Sequence, residues 1–335
     1  MILSSLPYPG LPYGTAPAWC FPITELSLYA LMGLCILHAR KLGHQALVYL
    51  FGGLIFGLLL EYFEVVGNSY TYGRFWVMLG RAPFDVPLCI GCGWAIIMYT
   101  ARCLSDRERL PLIAAAALDT LLALNIDLSM DVVAYRLHMW HWYWDTKSQN
   151  PLTAQWFGIP YGNFVGWITV VFCYSAFSRL LERYLVGNRK TVPLRAISVF
   201  IFSIACSLGV LVLTENVLFP LMFKYAGITS GRRLILLTVA LIALTVLGWF
   251  KRQPSTRPLA GVARWVPCWF HFFFLLCFFV LGFYRENQWM TLAACLNGLI
   301  GVAIHLAPGK LRARTSHRIG SDDHSSREVG LDTAN

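Results

Sequence analysis

The chain has 335 residues, of which 57% are hydrophobic and only 13% charged, against roughly a quarter charged in ordinary soluble domains. That composition cannot supply a water-soluble surface, which excludes a soluble globular protein. The net charge of +10 does not indicate nucleic-acid binding either, because the basic residues are dispersed between apolar runs and never form one stripe.

Residues Met1 to Pro22 contain no Lys or Arg and are rich in Pro and Gly. They do not read as a secretory signal; an extracytoplasmic segment 1–22 is expected, with the first span as the targeting element. Nine apolar runs follow, at about 23–39, 45–64, 86–102, 111–128, 159–178, 196–219, 234–250, 266–283 and 289–307. Each approaches the ~20 residues that cross a hydrocarbon core of about 30 Å. The expected fold is an all-α, polytopic transmembrane helical bundle of eight to nine spans, one domain over 23–308 with no internal repeat. Residues 309–335 are polar and aperiodic and are expected to form a disordered cytoplasmic tail.

Lys and Arg test the parity of these spans. Nineteen of the 27 fall on one side: Arg40 and Lys41; Arg102, Arg107 and Arg109; Arg179, Arg183, Arg189, Lys190 and Arg195; Lys251, Arg252, Arg257 and Arg264; and Lys310, Arg312, Arg314, Arg318 and Arg327. By the positive-inside rule that side is cytoplasmic, which puts the N-terminus outside and the C-terminus inside an inner or plasma membrane. Two of the opposite connections, 65–85 and 129–158, carry more aromatic rings than a solvated loop needs, among them Tyr70, Tyr72, Trp76, Trp140, Trp144 and Trp156. Such rings form an interfacial belt or fold back over the bundle.

Ionisable groups inside spans are costly and point to function. Span two ends in Glu61-Tyr-Phe-Glu64, whose spacing puts both acids on one helix face. Span four holds Asp119 and then Asn125-Ile-Asp127-Leu-Ser-Met-Asp131. At 1.5 Å per residue, Glu61 and Asp127 each lie roughly 25 Å from the cytoplasmic start of their helices. If spans two and four pack together, their acids crowd one poorly hydrated volume and one of them keeps a proton at neutral pH. The structural alternative is an ordinary interhelical network with Arg74, Arg81 or Arg136. Cys89 and Cys92 form a single CxxC, a weak redox or metal signal, and His138 and His141 are more plausibly interfacial than metal ligands. Pro160, Gly162, Asn163 and Gly166 open span five, where the glycines are readable as close-packing positions.

The segments Gln155–Pro160, Asn163–Trp167 and Leu128–Ala134, with the acidic end of span two, Tyr70-Thr-Tyr72 and Asp85-Val-Pro87, resemble the membrane-integral carotenoid biosynthesis family that includes carotenoid end-group hydratases. The resemblance covers about residues 45–180. It implies addition of water across a terminal isopropylidene double bond of a polyene. It also implies two partners, a hydrophobic polyisoprenoid or carotenoid substrate and the lipid bilayer. The residue chemistry fits independently. An acid protonates the alkene, aromatic faces of Tyr62, Trp140, Trp144 or Trp156 steady the tertiary cation, and a second carboxylate or Asn163 orients water. The expected catalytic set is Asp127, Asp131, Glu61, Glu64 and Asn163, with Tyr62, Tyr70, Tyr72, Trp76, Asp85, Trp140, Trp144, Trp156 and Trp167 binding substrate. No metal or organic cofactor is required. The alternatives are a membrane terpene cyclase using the same acid, an intramembrane prenyltransferase, suggested faintly by Asn125-x-Asp127-x-x-x-Asp131, and a non-enzymatic transporter or lipid-binding protein.

Overall fold

The computed structural model describes residues 16–144, 148–186, 193–253 and 258–306. The chain forms α1 (Cys20–Leu42), α2 (His44–Val66), α3 (Leu88–Glu108), α4 (Leu112–Arg136), the single turn α5 (Ala154–Phe157), α6 (Tyr161–Leu181), α7 (Pro193–Leu213), α8 (Phe219–Ala226), α9 (Ser230–Trp249), α10 (Gly261–Val280) and α11 (Gln288–Leu306). π-Helical turns at Glu182–Val186 and Thr214–Leu218 prolong α6 and join α7 to α8. Among the described residues nine helices are long and apolar enough to span a membrane, which is the all-α polytopic bundle expected. The segments 1–15 and 307–335 lie outside the described residues, as do Lys147, Arg189, Lys190 and Arg257.

The helices break where local chemistry demands it. Gly43, at φ 106°, separates α1 from α2 in a conformation that only glycine adopts freely, and Pro111 and Pro160 stand at the N-caps of α4 and α6. The largest departure from the expected boundaries is in span four. Its helix continues to Arg136, because the segment after Asp127 is buried on every side and its backbone must satisfy itself. Asp131 therefore projects from a helix and not from a connection.

The α4 helix is the axis of the bundle, packed on α3, α6, α9, α10 and α11, while α2 packs on α1, α3 and α7. The expected direct packing of spans two and four is not the arrangement found: α3 and α6 stand between them. Close approach of α2 and α3 depends on glycine. A Cβ on Gly57 would sit 2.5 Å from the Cβ of Trp94, and one on Gly53 3.2 Å from the Cα of Ala95.

The two aromatic connections fold back onto one end of the bundle. Within them β1 (Tyr70–Tyr72) pairs antiparallel with β4 (Trp140–Trp142), in the register Tyr70↔Trp142, Thr71↔His141 and Tyr72↔Trp140. A smaller ladder joins β2 (Met78–Leu79) to β3 (Val86–Pro87). Arg136 ties this cap down, donating to Glu286 and to the carbonyls of Val132, Leu152 and Phe157. Glu25 of α1 likewise accepts from the backbone N–H groups of Trp76 and Val77.

Candidate active site

Beneath the β1–β4 ladder, side chains of α2, α3, α4 and α6 converge on a group of acids. Asp127 and Asp131, one turn apart on α4, both accept from Asn163 of α6, at 3.1 and 2.6 Å. One nitrogen, Asn163 Nδ2, bridges the two, so their Oδ2 atoms lie side by side. Asp127 Oδ1 is buried and meets no N–H or O–H donor.

Glu61 completes the group from α2, close enough to interact electrostatically with both aspartates. It accepts from Trp94 Nε1 at 2.6 Å and from the hydroxyls of Tyr70 and Tyr72. Burial, and then the charge of Glu61, hold both phenols well above the usual tyrosine range, so they remain donors. Among the described residues no Lys or Arg pairs with Glu61, Glu64, Asp127 or Asp131. The network with Arg74, Arg81 or Arg136 is therefore not what these acids form. Arg74 pairs with Asp85 at 2.7 Å and Arg136 with Glu286 at 2.6 Å.

Glu61 and Asp131 border a partly open cavity, with about 600 Å³ of space between side chains counting its opening, whose walls include Trp94, Trp140, Trp167, Trp269, Phe270, Phe274, Met130 and Met139. Trp94 and Trp167 stack with ring centres 3.9 Å apart. Chemically this is an apolar chamber with two aspartates bridged by one amide at one wall and a third carboxyl, held by three donors, beside it.

Of the residues expected to form the site, Asp127, Asp131, Glu61, Asn163, Tyr70, Tyr72, Trp140 and Trp167 come together. The others do not. Tyr62 is 46% exposed and Trp76 65% exposed, because each lies on a face turned away from the bundle. Asp85 is engaged by Arg74. Trp144 donates to the Gly158 carbonyl and Trp156 to that of Leu128, fastening the second aromatic connection and leaving the chamber walls to others. Glu64 accepts from Ser69 at 2.7 Å and borders a separate groove. Asp119 lies at the opposite end of α4, bound to Arg179 and Ser175. Asn125 turns to Asn297 of α11, so the Asn-x-Asp-x-x-x-Asp run presents no single face to a ligand.

His141 is buried in β4 beside His138, and burial pushes its imidazole down to about 4. Among the described residues no three His, Cys, Asp or Glu side chains are placed to hold a metal, and Cys89 and Cys92 are free thiols within α3. Trp94 and the aromatic wall from α10 were not anticipated. Trp94 lies in an apolar run with no polar neighbour to mark it, and Trp269-Phe-His-Phe-Phe-Phe reads as a lipid-facing span.

A family model described as "Carotenoid biosynthesis protein" matches residues 21–229, well over half of the chain and inclusive of every acid in the group. None of the curated proteins and none of the solved structures matches.

Proposed function

The chain belongs to the carotenoid biosynthesis protein family and acts in carotenoid biosynthesis, and from that premise we propose that it is a hydratase, adding water across the terminal isopropylidene double bond of an acyclic carotenoid. The observation that carries this reading is the Asp127–Asp131 pair bridged by Asn163, with Asp131 opening into an aromatic chamber that Glu61 shares.

The proton held between the aspartates satisfies the otherwise unpartnered Asp127 Oδ1 and is the one delivered. Asp131 transfers it to the less substituted alkene carbon, leaving a tertiary cation. Asn163 holds both carboxyl groups in place through the transfer. The faces of Trp94, Trp140 and Trp167 stabilise the cation, at about 0.5–2 kcal/mol each. Water adds to the cation, and Glu61, oriented by Tyr70, Tyr72 and Trp94, receives the proton that water loses. A proton returned from Glu61 to the aspartate pair closes the cycle. In this reading the loop-capped end of the bundle faces away from the cytoplasm, following the partition of Lys and Arg.

The predominantly aromatic lining of the chamber favours a second reading, a terpene cyclase in which an internal double bond captures the same cation. Expression in a strain accumulating acyclic carotenoids, followed by mass analysis of the pigments, separates the two. A gain of one or two waters supports the hydratase, an isomer of unchanged mass the cyclase, and unchanged pigment refutes both.

A further inference from the structure

We propose that a polar groove behind the Trp94–Trp167 stack is the water entry of this site, and that Gly162 and Gly166 of α6 keep it open so that water captures the cation. The inference rests on the hydratase reading above. The groove, about 1040 Å³ counting its open side, lies between α2, α6 and the end of α7, and it shares Glu61, Tyr70, Trp94 and Trp167 with the acid chamber. Its remaining lining sets Glu64, Ser69, Asn163 and Glu215 among apolar side chains such as Leu60, Val170 and Leu211. Ser69 and Pro160 place its mouth at the loop-capped end.

Two independent features indicate what occupies it. Gly162 and Gly166 stand one turn apart, and a Cβ on either would meet nothing within 4 Å. Unlike Gly53 and Gly57, they therefore serve no helix contact, although each costs about 1 kcal/mol of helix propensity relative to Ala. What they do is leave α6 bare where larger side chains would fill the groove. The second feature is Trp142, which borders the groove, is 8% exposed and has an Nε1–H without a hydrogen-bond partner. A hydrocarbon lying here would leave that N–H without an acceptor and the Glu64 carboxyl with the Ser69 hydroxyl as its one donor. Water satisfies both.

The division of labour follows. The apolar chamber holds the isopropylidene end, the groove holds water, and Glu61 and Asn163 reach the boundary between them. With water present, the cation gains a C–O bond, the water proton passes to Glu61, and the net change is one H2O added per double bond. With the groove filled, the cation surrenders a C–H proton to a carboxylate and returns to an alkene.

The test uses membranes containing the full chain, an acyclic carotenoid and D2O, with hydrated product and deuterium in recovered polyene both measured. In Gly166→Leu and Gly162→Leu, hydration is expected to fall about tenfold or more while carbon-bound deuterium in unhydrated polyene rises. Hydration at the wild-type rate, or its loss without a rise in deuterium, overturns the water-entry assignment. A wild-type protein that neither hydrates nor exchanges overturns the hydratase reading itself. A measurement independent of turnover is the reaction of Gly166→Cys with a charged, water-soluble methanethiosulfonate reagent. Labelling above the wild-type background is expected; protection overturns the assignment.

Discussion

At the level of single residues, the acid group makes different demands on each member. Asp127→Asn and Asp131→Asn each remove one carboxyl of the proposed acid pair, and carotenoid conversion per unit of protein is expected to fall by about 10²–10⁴, the usual worth of a positioned general acid. Glu61→Gln should fall in the same range. Tyr72→Phe removes one of the three donors to Glu61 and leaves Tyr70 and Trp94 in place, so a loss of about tenfold is expected, the size of one hydrogen bond to a charged group. His141 governs stability instead. Its buried imidazole takes a proton only near pH 4, whereas in the unfolded chain it does so near 6.5. Between those values the unfolded state binds the extra proton, so stability drops as pH falls through that window. A thermal melt in detergent should show a smaller loss from pH 7 to pH 5 in His141→Asn than in the wild type. Asp127, Asp131, Glu61 and Asn163 were legible from sequence because carboxyl and amide groups inside apolar runs need a reason. Trp94 was not, since an indole in such a run looks like any other apolar ring.

At the level of elements, the site depends on how closely α2 approaches α3 and on what ties the loop cap to α4. Gly57→Leu would drive a side chain into Trp94, whose Cβ is 2.5 Å from the nearest added atom. Overpacking of this kind costs about 1–3 kcal/mol, and the same substitution moves the indole that holds Glu61. A lowered melting temperature together with lost activity is the expected outcome. Arg136→Leu leaves Glu286 and the carbonyls of Leu152 and Phe157 without their donor under the loop cap. Breaking one side of a buried ion pair costs about 3–5 kcal/mol, so this variant should be recovered in lower yield and melt earlier, and Glu286→Gln less so. Helix number and order followed from hydropathy, because a run of about 20 apolar residues has few other fates. The β1–β4 ladder did not: its strands are three residues each, separated by two helices, and their pairing is a non-local event.

At the level of the whole molecule, the partition of Lys and Arg leads to a testable orientation. Reporter fusions should be active outside the cytoplasm at the N-terminus and inside it at the C-terminus; the reverse would reject the assignment. The family match ends at residue 229, yet Trp269, Phe270 and Phe274 of α10 close the acid chamber, so the region beyond the match takes part in shaping it. By itself the sequence determined the class of protein, its spans and how far along its helix each acid lies, because hydrophobic run length and the rise of a helix are local quantities. Only the tertiary structure decided which acids share a volume. It moved Asp119 to a cation cluster and Glu64 to the groove, and it brought Glu61 to Asp127 and Asp131 across the space between α3 and α6, because which helices are neighbours is set by contacts between residues far apart in the chain.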